Sequence, residues 1–511
     1  MVPSAVCPIT DTLITDVVAD LFYTATHQLP QDIFERLNSI YQLEVGENAR
    51  EATRQILENA VKARQKQRPM CQDTGFPVVF VELGRQCPYQ GDLAQAINQG
   101  VAKGYTEHYL RKSMVKDPVF DRTNTGDNTP AIIHTELVDG DHLKIMVEPK
   151  GTGSESMSAL TMLKPSQGVD GIKQFILDAI FRAGANPCPP LLLGIGIGGT
   201  FEKAALMAKR ALFDPVLDAD ALRQKAEGGD PYAGLALELI QMVNETGIGT
   251  QGLGGVQMCI GVNIRTFATH IGALPVALNV QCHAARHAEA VIEADGTVTH
   301  LGQHIGTEAR FDEASEAVNA HVVKLQTPVS AEQFAQLRAG DRVHISGTIY
   351  TARDAAHKRM MEAYEATGAF PFPMDTQILY YVGPVPAMAD EVIGPAGPTT
   401  AARMDKYAPF FLNHGLKAMI GKGYRSAEVI DAMKANGAVY MVGIGGAAVV
   451  IADSIKQCDV VAYPELGPEA VYRLEVENFP AIVAIDSQGN NIHEQGREAY
   501  RKRDLPADMA G

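Results

Sequence analysis

The chain has 511 residues, of which 46% are hydrophobic and 20% are charged. At about 150 residues per domain, this length predicts two to four globular domains and excludes a single small binding module. Its 44 lysines and arginines against 60 aspartates and glutamates give a net charge of −16, which argues against binding to nucleic acid or to anionic membranes. A small anionic substrate would therefore need a local cluster of arginines and lysines.

Helices are predicted for most of the first seventy residues, because apolar positions recur three or four residues apart there. Farther along, short apolar runs bounded by glycine and proline indicate strands that alternate with helices. The predicted helices of this part are 32–41, 48–66, 91–109, 171–183 and 202–212. The predicted strands are 76–83, 131–138, 143–148, 191–197 and 266–280.

A polar stretch after Leu325 precedes a new strand at 341–350, so we place a domain boundary near residue 325. The expected domains are 1–325 and 326–511. The other predicted strands of the second domain are 378–382, 439–444, 460–462 and 481–486, and its helices are 355–366, 400–406 and 426–436. This order predicts a two-domain α+β or α/β fold, with a compact α/β domain at the C-terminal end.

One glycine-rich segment fits a nucleotide-binding pattern. Residues 194–199 read G-x-G-x-x-G after a strand and before a helix, with Asp214, Asp218 and Asp220 downstream. This pattern is compatible with a dinucleotide site and an NAD-dependent oxidoreductase. The segment lacks a clear second half of such a domain, so we favour a tight turn with close helix–strand packing.

The seven cysteines are odd in number and widely spread, which does not suit a disulfide framework. The first residues lack a signal-peptide pattern, and no apolar run reaches the roughly 18 residues of a membrane span. We therefore expect a cytoplasmic enzyme with reduced thiols. Cys259 lies in an apolar run and is interpreted as core. The cysteines without distinctive neighbours are Cys7, Cys87 and Cys458.

Cys71, Cys188 and Cys282 share a different setting, since each lies in a loop beside turn residues and polar groups. A free cysteine is by default a small buried apolar residue, but three loop thiols could also converge on a metal. Their spacing matches no zinc motif. Three thiolates are one fewer than close an iron–sulfur cluster, and an iron left open would be a Lewis acid suited to adding or removing water.

Four sets of motifs carry a resemblance to a known family. They are Cys71-Gln-Asp-Thr-Gly75, Asn186-Pro-Cys-Pro-Pro190 with Gly194-Ile-Gly-Ile-Gly-Gly-Thr200, Thr269-His-Ile-Gly-Ala-Leu-Pro275 with Gln281-Cys-His-Ala-Ala-Arg286, and Gly397-Pro-Thr-Thr-Ala-Ala-Arg-Met-Asp405. Together they resemble the class I, iron–sulfur-dependent fumarate hydratases, in order and over nearly the whole chain. The resemblance implies a [4Fe–4S] hydro-lyase that hydrates fumarate reversibly to S-malate. It also implies an N-terminal cluster domain, a C-terminal swivelling-type domain that closes over it, and usually a homodimer.

The resemblance also implies a set of site residues. The cluster ligands would be Cys71, Cys188 and Cys282. The residues with a catalytic role would be Asp73, Thr399 and His270, and those that bind substrate would be Gln72, Arg111, Gly153, Arg353, Arg403 and Lys422. Arginines from both domains could grip the two carboxylates of the substrate. The base stays open, because the Thr399 hydroxyl would need Asp73 or another neighbour to take its proton. Taken alone, Asp73 is also a turn cap for the Gly75 amide.

One segment departs from the family's pattern. The family usually has Lys-Gly-Gly-Gly-Ser-Glu-Asn-Lys where this chain has Thr152 in place of a glycine and Met157 in place of the last lysine. A β-branched residue hinders close backbone approach, and the methionine removes a cation. The substrate is therefore open between fumarate, mesaconate (giving 2-methylmalate) and tartrate. A cluster-based sensor without enzymatic activity is a further hypothesis, beside the NAD-dependent oxidoreductase.

Overall fold

A computed structural model describes residues 8–311 and 322–503 of the chain. Cys7 lies outside these ranges. Among the described residues, no helix is both long enough and apolar enough to cross a membrane. The described chain is a mixed α/β structure with three sheets, which confirms the predicted fold class.

Helices and strands of the N-terminal half follow the predicted alternation. The helices are α1 (Asp11–His27), α2 (Gln31–Leu43), α3 (Glu47–Lys66), α4 (Leu93–Glu107), α5 (Thr152–Glu155), α6 (Gly168–Ala183), α7 (Phe201–Arg210), α8 (Ala219–Glu227) and α9 (Pro231–Asn244). The strands are β1 (Phe76–Gly84), β2 (Ile132–Val138), β3 (Leu143–Lys150), β4 (Ala159–Leu163), β5 (Leu191–Gly198), β6 (Cys259–Phe267), β7 (Leu274–Gln281), β8 (Ala288–Ile292) and β9 (Val298–Leu301).

These strands form two sheets whose loops lead into the cysteine segments. The first sheet has the order β2-β1-β3-β8-β9, and α1 and α4 share an apolar core with it. The second has the order β4-β7-β5-β6. The strand predicted at 266–280 is in fact the end of β6 and most of β7, separated by a turn at 268–273. The turn reverses the chain, so that β5 is parallel to β6 and antiparallel to β7.

Residues 194–198 of the glycine-rich segment lie within β5 and are buried, and Gly199 directly follows the strand. A Cβ atom on Gly194 would lie 2.1 Å from the carbonyl oxygen of Ala208, and one on Gly196 would lie 2.1 Å from that of Ala204. Both carbonyls belong to α7, so these glycines allow the helix to pack directly on the strand. The structure thus agrees with the close-packing interpretation of the G-x-G-x-x-G pattern.

The C-terminal half contains a third sheet of seven strands. Its helices are α10 (Ala331–Gln336), α11 (Asp354–Thr367), α12 (Ala408–Asn413), α13 (Ala427–Asn436), α14 (Ala448–Asp453) and α15 (Ile492–Tyr500). Its strands are β10 (Val322–Gln326), β11 (Arg342–Thr351), β12 (Ile378–Tyr380), β13 (Ala418–Gly421), β14 (Val439–Val442), β15 (Ile455–Ala462) and β16 (Val471–Ile485). The order is β10-β11-β12-β13-β14-β16-β15. Because β16 also pairs with β11, the strands from β11 to β14 and β16 form a closed ring.

Two predictions for this half, the domain boundary and one helix, can be compared with the structure. The change of sheet falls between Leu301 and Val322, and the predicted boundary at residue 325 lies inside β10, which pairs with β11. The helix predicted at 400–406 is only a 3-10 turn over Ala401–Met404. Thr400 is held in an extended bridge to Lys422, so the turn begins only at Ala401.

Asn59 of α3 joins the two halves at the level of the cysteine loops. Its side-chain amide donates to the carbonyl oxygens of Met70 (2.8 Å) and Gly446 (2.9 Å), and its oxygen accepts from the amides of Val449 (2.8 Å) and Val450 (3.3 Å). Asn59 is 2% exposed. One buried side chain therefore fixes the segment before Cys71 against the start of α14.

Replacing Asn59 by alanine should lower the free energy of unfolding by about 2–4 kcal/mol, because buried main-chain groups would lose their partners. Chemical denaturation of Asn59→Ala measures this loss. Gln65→Ala is the control, since Gln65 lies exposed on the same helix with one long-range bond, to Thr307. A loss no larger than that of the control would contradict the assigned role of Asn59.

Candidate active site

A cavity of about 280 Å³ lies where loops of both halves meet. The N-terminal half contributes the loops after α3, after α4, after β3, before β5 and after β7. The C-terminal half contributes the residue before α11, the 399–403 segment, the end of β13 and the loop before α14. The predicted site residues on its wall are Cys71, Gln72, Asp73, Arg111, Gly153, Cys188, Cys282, Arg353, Thr399, Arg403 and Lys422.

His270 is the one predicted site residue that the cavity does not include. It lies exposed in the turn between β6 and β7, where its Nδ1 accepts a hydrogen bond of 3.1 Å from the amide of Gly272. The neighbouring Ile271 is 92% exposed. Within this chain, His270 therefore does not share the cavity with the three cysteines.

The three loop cysteines meet on the wall of this cavity. Cys188 adopts a φ of 59°, a left-handed conformation that is rare for residues other than glycine. Burial raises the pKa of all three thiols, and repulsion between them raises it further, as between Cys282 and Cys188. Among the described residues, no three histidine, cysteine, aspartate or glutamate side chains are placed to hold one metal ion. All three thiols nevertheless line the same cavity.

Lysine and arginine side chains lie against these thiols. Lys422 Nζ is 2.7 Å from Cys188 Sγ. Burial alone would lower the pKa of Lys422, but the sulfur of Cys188 raises it above its usual value. Arg286 is 3% exposed and also lies on the cavity wall. The site therefore has the local positive charge that a chain of net charge −16 needs to hold an anion.

Asp73 is held as a carboxylate. Its Oδ1 accepts from the amide of Gly75 at 3.1 Å, and its Oδ2 accepts from the amide of Thr152 at 3.1 Å. Arg111 Nη2 lies 3.4 Å from Oδ1. Although burial raises the pKa of Asp73, Arg111, Arg286 and the two amides lower it below its usual value. Asp73 is therefore both the expected turn cap and an ionised group on the cavity wall.

Arg111 and Arg353 approach each other from different halves at Gly383. Arg111 Nη1 donates to the carbonyl oxygen of Gly383 at 2.8 Å, and Arg353 Nη2 lies 3.2 Å from Glu469 Oε1. Burial and the charge of Arg111 lower the pKa of Arg353 to about 10. Arg403 is half-exposed and paired with Asp354 at 2.6 Å. The three guanidinium groups thus form a cationic cluster whose present partners are protein oxygens.

Gln72 lies beneath these groups and also crosses between the halves. Its Nε2 donates to the carbonyl oxygen of Pro398 at 3.1 Å, and its Oε1 accepts from Cys71 Sγ at 3.4 Å. The adjacent Thr399 is 8% exposed, and its amide donates to the carbonyl oxygen of Tyr381 at 2.7 Å. The first cysteine loop and the 397–400 segment are therefore in direct contact.

The sequence alone did not single out several other cavity residues, and three of these stand out: Asn186, His283 and Arg286. Each has a buried polar atom with no hydrogen-bond partner among the described residues, namely Asn186 Oδ1, His283 Nε2 and Arg286 Nη1. Buried polar atoms are rarely left unpaired in proteins. His283 and Arg286 belong to the motif around Cys282, so that motif is the sequence signal that could have found them.

Comparison with known proteins places these features in a family. Residues 15–291 match the family model described as fumarate hydratase (Fumerase), and residues 298–496 match the one described as fumarase C-terminus. The chain belongs to the class I fumarate hydratase family. It is therefore a hydro-lyase of a class that is known for iron–sulfur clusters.

Relatives in this family align over most of the chain. The class I fumarate hydratase, anaerobic, of Escherichia coli (strain K12) is 32% identical over 471 residues, which cover 89% of this chain and 85% of that protein. Fumarate hydratase 2 of Leishmania major is 32% identical over 470 residues, covering 88% and 81%. The putative L(+)-tartrate dehydratase subunit alpha of Methanocaldococcus jannaschii is 39% identical over 288 residues, covering 55% of this chain and 98% of that subunit.

Substitution of Gly383 by alanine should destabilise the crossing of the two arginines. A Cβ atom there would lie 2.2 Å from Arg353 Nη1, and the side chain of Arg353 has little room to shift because the residue is only 9% exposed and is paired with Glu469. We expect a loss of about 1–3 kcal/mol in the free energy of unfolding. Gly234→Ala is the control, because its new Cβ would meet its nearest neighbour at 3.9 Å. Equal stability of the two variants would contradict this packing argument.

Proposed function

We propose that this hydro-lyase catalyses the reversible hydration of fumarate to S-malate. The observation that carries the proposal is one small cavity in which three buried or half-buried thiols lie beside a carboxylate and cations from both halves of the chain. Relatives about 32% identical over most of the chain are named fumarate hydratases. A four-carbon dianion has the size and the charge that such a cavity favours.

We infer that Cys71, Cys188 and Cys282 hold a [4Fe–4S] cluster. The thiols fit such a group because all three line one cavity and are close enough to repel one another, and because Arg286 Nη1 is a buried donor without a partner among the described residues. When bound, a cluster with three cysteine ligands supplies one open iron that polarises a hydroxyl or carboxylate group as a Lewis acid. The charge of Lys422 beside Cys188 favours the thiolate form that ligation requires.

The proposed substrate grip uses side chains of both halves. Arg111, Gln72 and the backbone at Gly153 would contact the substrate from the N-terminal half. The groups from the C-terminal half would be Arg353, Arg403 and Lys422. Arg111, Arg353 and Arg403 are now paired with Asp73, Glu469 and Asp354. Substrate carboxylates would replace these partners with bidentate bonds and draw the two halves together, which expels water from the reacting atoms.

Proton transfer is assigned to Asp73 and Thr399. Asp73 is ionised, since Arg111 and two amides keep its pKa low despite burial, so it can accept a proton. The Thr399 hydroxyl is a weak base by itself and needs a neighbour to take its proton. His270 lies outside the cavity of its own chain, and the proposed mechanism does not use it. The predicted homodimer and cytoplasmic location stay predictions.

Two residues of the segment after β3 are the reason why other diacids are considered as alternative substrates to fumarate. Thr152 and Met157 both line the cavity, where the family pattern has a glycine and a lysine. A methyl or hydroxyl group on the substrate would meet this wall, as in mesaconate or tartrate. The relative named as a putative L(+)-tartrate dehydratase subunit alpha matches 55% of the chain. Fumarate remains the proposed substrate, because the relatives that match both halves are named for it.

A substrate panel on anaerobically reconstituted protein tests the proposed function. Initial rates on fumarate, S-malate, mesaconate and both tartrates should be highest for fumarate and S-malate, and malate formed should have the S configuration. Brown protein without turnover of any of these diacids would favour the cluster sensor. Colourless protein that binds NAD would favour the oxidoreductase. Faster turnover of mesaconate or a tartrate than of fumarate would change the substrate but retain the reaction class.

Serine substitution of Cys71, Cys188 or Cys282 should abolish iron retention and hydratase activity, because a hydroxyl is a much poorer iron ligand than a thiolate. Iron content and fumarate hydration measure both effects. Cys259→Ala and Cys458→Ala are matched controls outside the cavity and should keep both. Wild-type iron content in any of the three serine variants would remove that residue from the ligand set.

The double change Thr152→Gly with Met157→Lys should shift the ratio of rates on fumarate and mesaconate toward fumarate by about tenfold or more. One methyl group in a fitted pocket is worth roughly 1–3 kcal/mol, and the new lysine restores a cation. Met162→Lys is the control for an added charge, since Met162 lies 52% exposed and outside the cavity. A ratio within about twofold of wild type, below that one-methyl effect, would mean that these residues do not select the substrate.

A further inference from the structure

Arg286 is a buried cation that no step of the proposed mechanism uses. It is 3% exposed. Its Nε donates to the carbonyl oxygen of Pro149 at 3.2 Å, and its Nη2 donates to the carbonyl oxygen of Asp73. Its Nη1 is buried and has no hydrogen-bond partner in the described parts of the chain. Two of the three guanidinium nitrogens therefore donate to main-chain oxygens, and the third has no acceptor among the described residues.

The surroundings of Arg286 are rich in groups that carry or gain negative charge. The guanidinium lies near the thiols of Cys71 and Cys282 and near the carboxylate of Asp73. Burial raises the pKa of Cys71, and Arg286 is the strongest influence that opposes this rise. For Cys282, burial and repulsion by Cys188 raise the pKa, while Arg286 acts in the opposite direction. The arginine thus lies beside two of the three proposed ligands.

We propose that Arg286 is a positioning residue for the iron–sulfur cluster, donating from Nη1 to a cluster or cysteine sulfur and setting the reduction potential of the cluster. The inference rests on the proposed function, since it requires that Cys71 and Cys282 hold the cluster. Hydrogen bonds to cluster sulfurs and nearby positive charge stabilise the more negative, reduced state. The arginine would therefore make the cluster easier to reduce and would hold it in the protein.

A purely structural clamp explains less of what is seen. The bonds to Pro149 and Asp73 tie the end of β3 to the loop after Cys71. A clamp of that kind accounts for Nε and Nη2 and leaves Nη1 unpaired at a buried position, which is unfavourable by itself. The planar fork of arginine can donate in three directions at once, whereas lysine offers one compact charge. Substitution by lysine keeps the positive charge but removes the planar guanidinium group, whereas substitution by glutamine removes both. Comparing the two variants therefore distinguishes the effect of the charge from that of the hydrogen-bond geometry.

The test compares Arg286→Gln, Arg286→Lys and wild type, each reconstituted anaerobically. Iron and sulfide content, thermal unfolding and an EPR-monitored redox titration are measured. Arg286→Gln should disfavour one-electron reduction of the cluster by about tenfold or more, which corresponds to a potential about 59 mV more negative. Arg286→Lys should lie between Arg286→Gln and wild type. Arg265→Gln, which removes an arginine paired with Asp214 outside the cavity, should keep the wild-type potential.

An unchanged potential in loaded Arg286→Gln would overturn the inference, even if the variant unfolds at a lower temperature. If Arg286→Gln folds but takes up no cluster, its potential cannot be measured, and the iron content of Arg286→Lys then tests the inference. Iron retained by the lysine variant supports the role of the charge, and equal loss from both variants contradicts it. Wild-type protein that takes up no cluster would overturn the proposed function as well, so the two failures are distinguishable.

Discussion

The rest of the structure depends on one constraint: a carboxylate, and three thiols that must become thiolates to bind iron, lie partly or fully buried around one cavity. Anionic groups removed from water are unstable unless cations and hydrogen-bond donors compensate them. The chain carries a net charge of −16, so this compensation has to be local. Lys422 lies against Cys188, and Arg111 lies against Asp73. The same local field that stabilises these groups also favours a small dianion, so binding and stability of the site have a common physical origin.

The fold meets this constraint by bringing loops from both halves to one place. The cysteines belong to loops of the N-terminal half, whereas Lys422 follows a strand of the C-terminal sheet. Asn59 fixes the first cysteine loop to the start of α14 through bonds to main-chain atoms of both halves. Gly383 leaves space for Arg111 and Arg353 to meet. Small and amide side chains at the junction are therefore as necessary to the site as its charged groups.

Most of the expected site residues lie on the wall of one cavity, and they could be named from the sequence because the short motifs that contain them resemble, in the same order along the chain, those of a known family. Local periodicity also predicted most helices and strands. What it could not supply was three-dimensional pairing: β16 joins β11, β14 and β15 across long stretches of chain. The exposed position of His270 and the unpaired donor of Arg286 are likewise consequences of packing. Nor does a glycine pattern distinguish a phosphate loop from a helix packed on a strand, as at Gly194 and Gly196.

The central claim is that hydration of fumarate depends on a cluster held by this cavity. The most direct measurement follows cluster content and fumarate hydration in the same samples, prepared anaerobically with graded amounts of iron and sulfide. The account predicts that the rate of S-malate formation rises in proportion to the cluster bound per chain and vanishes in cluster-free protein. Hydration at the same rate by cluster-free protein would contradict it.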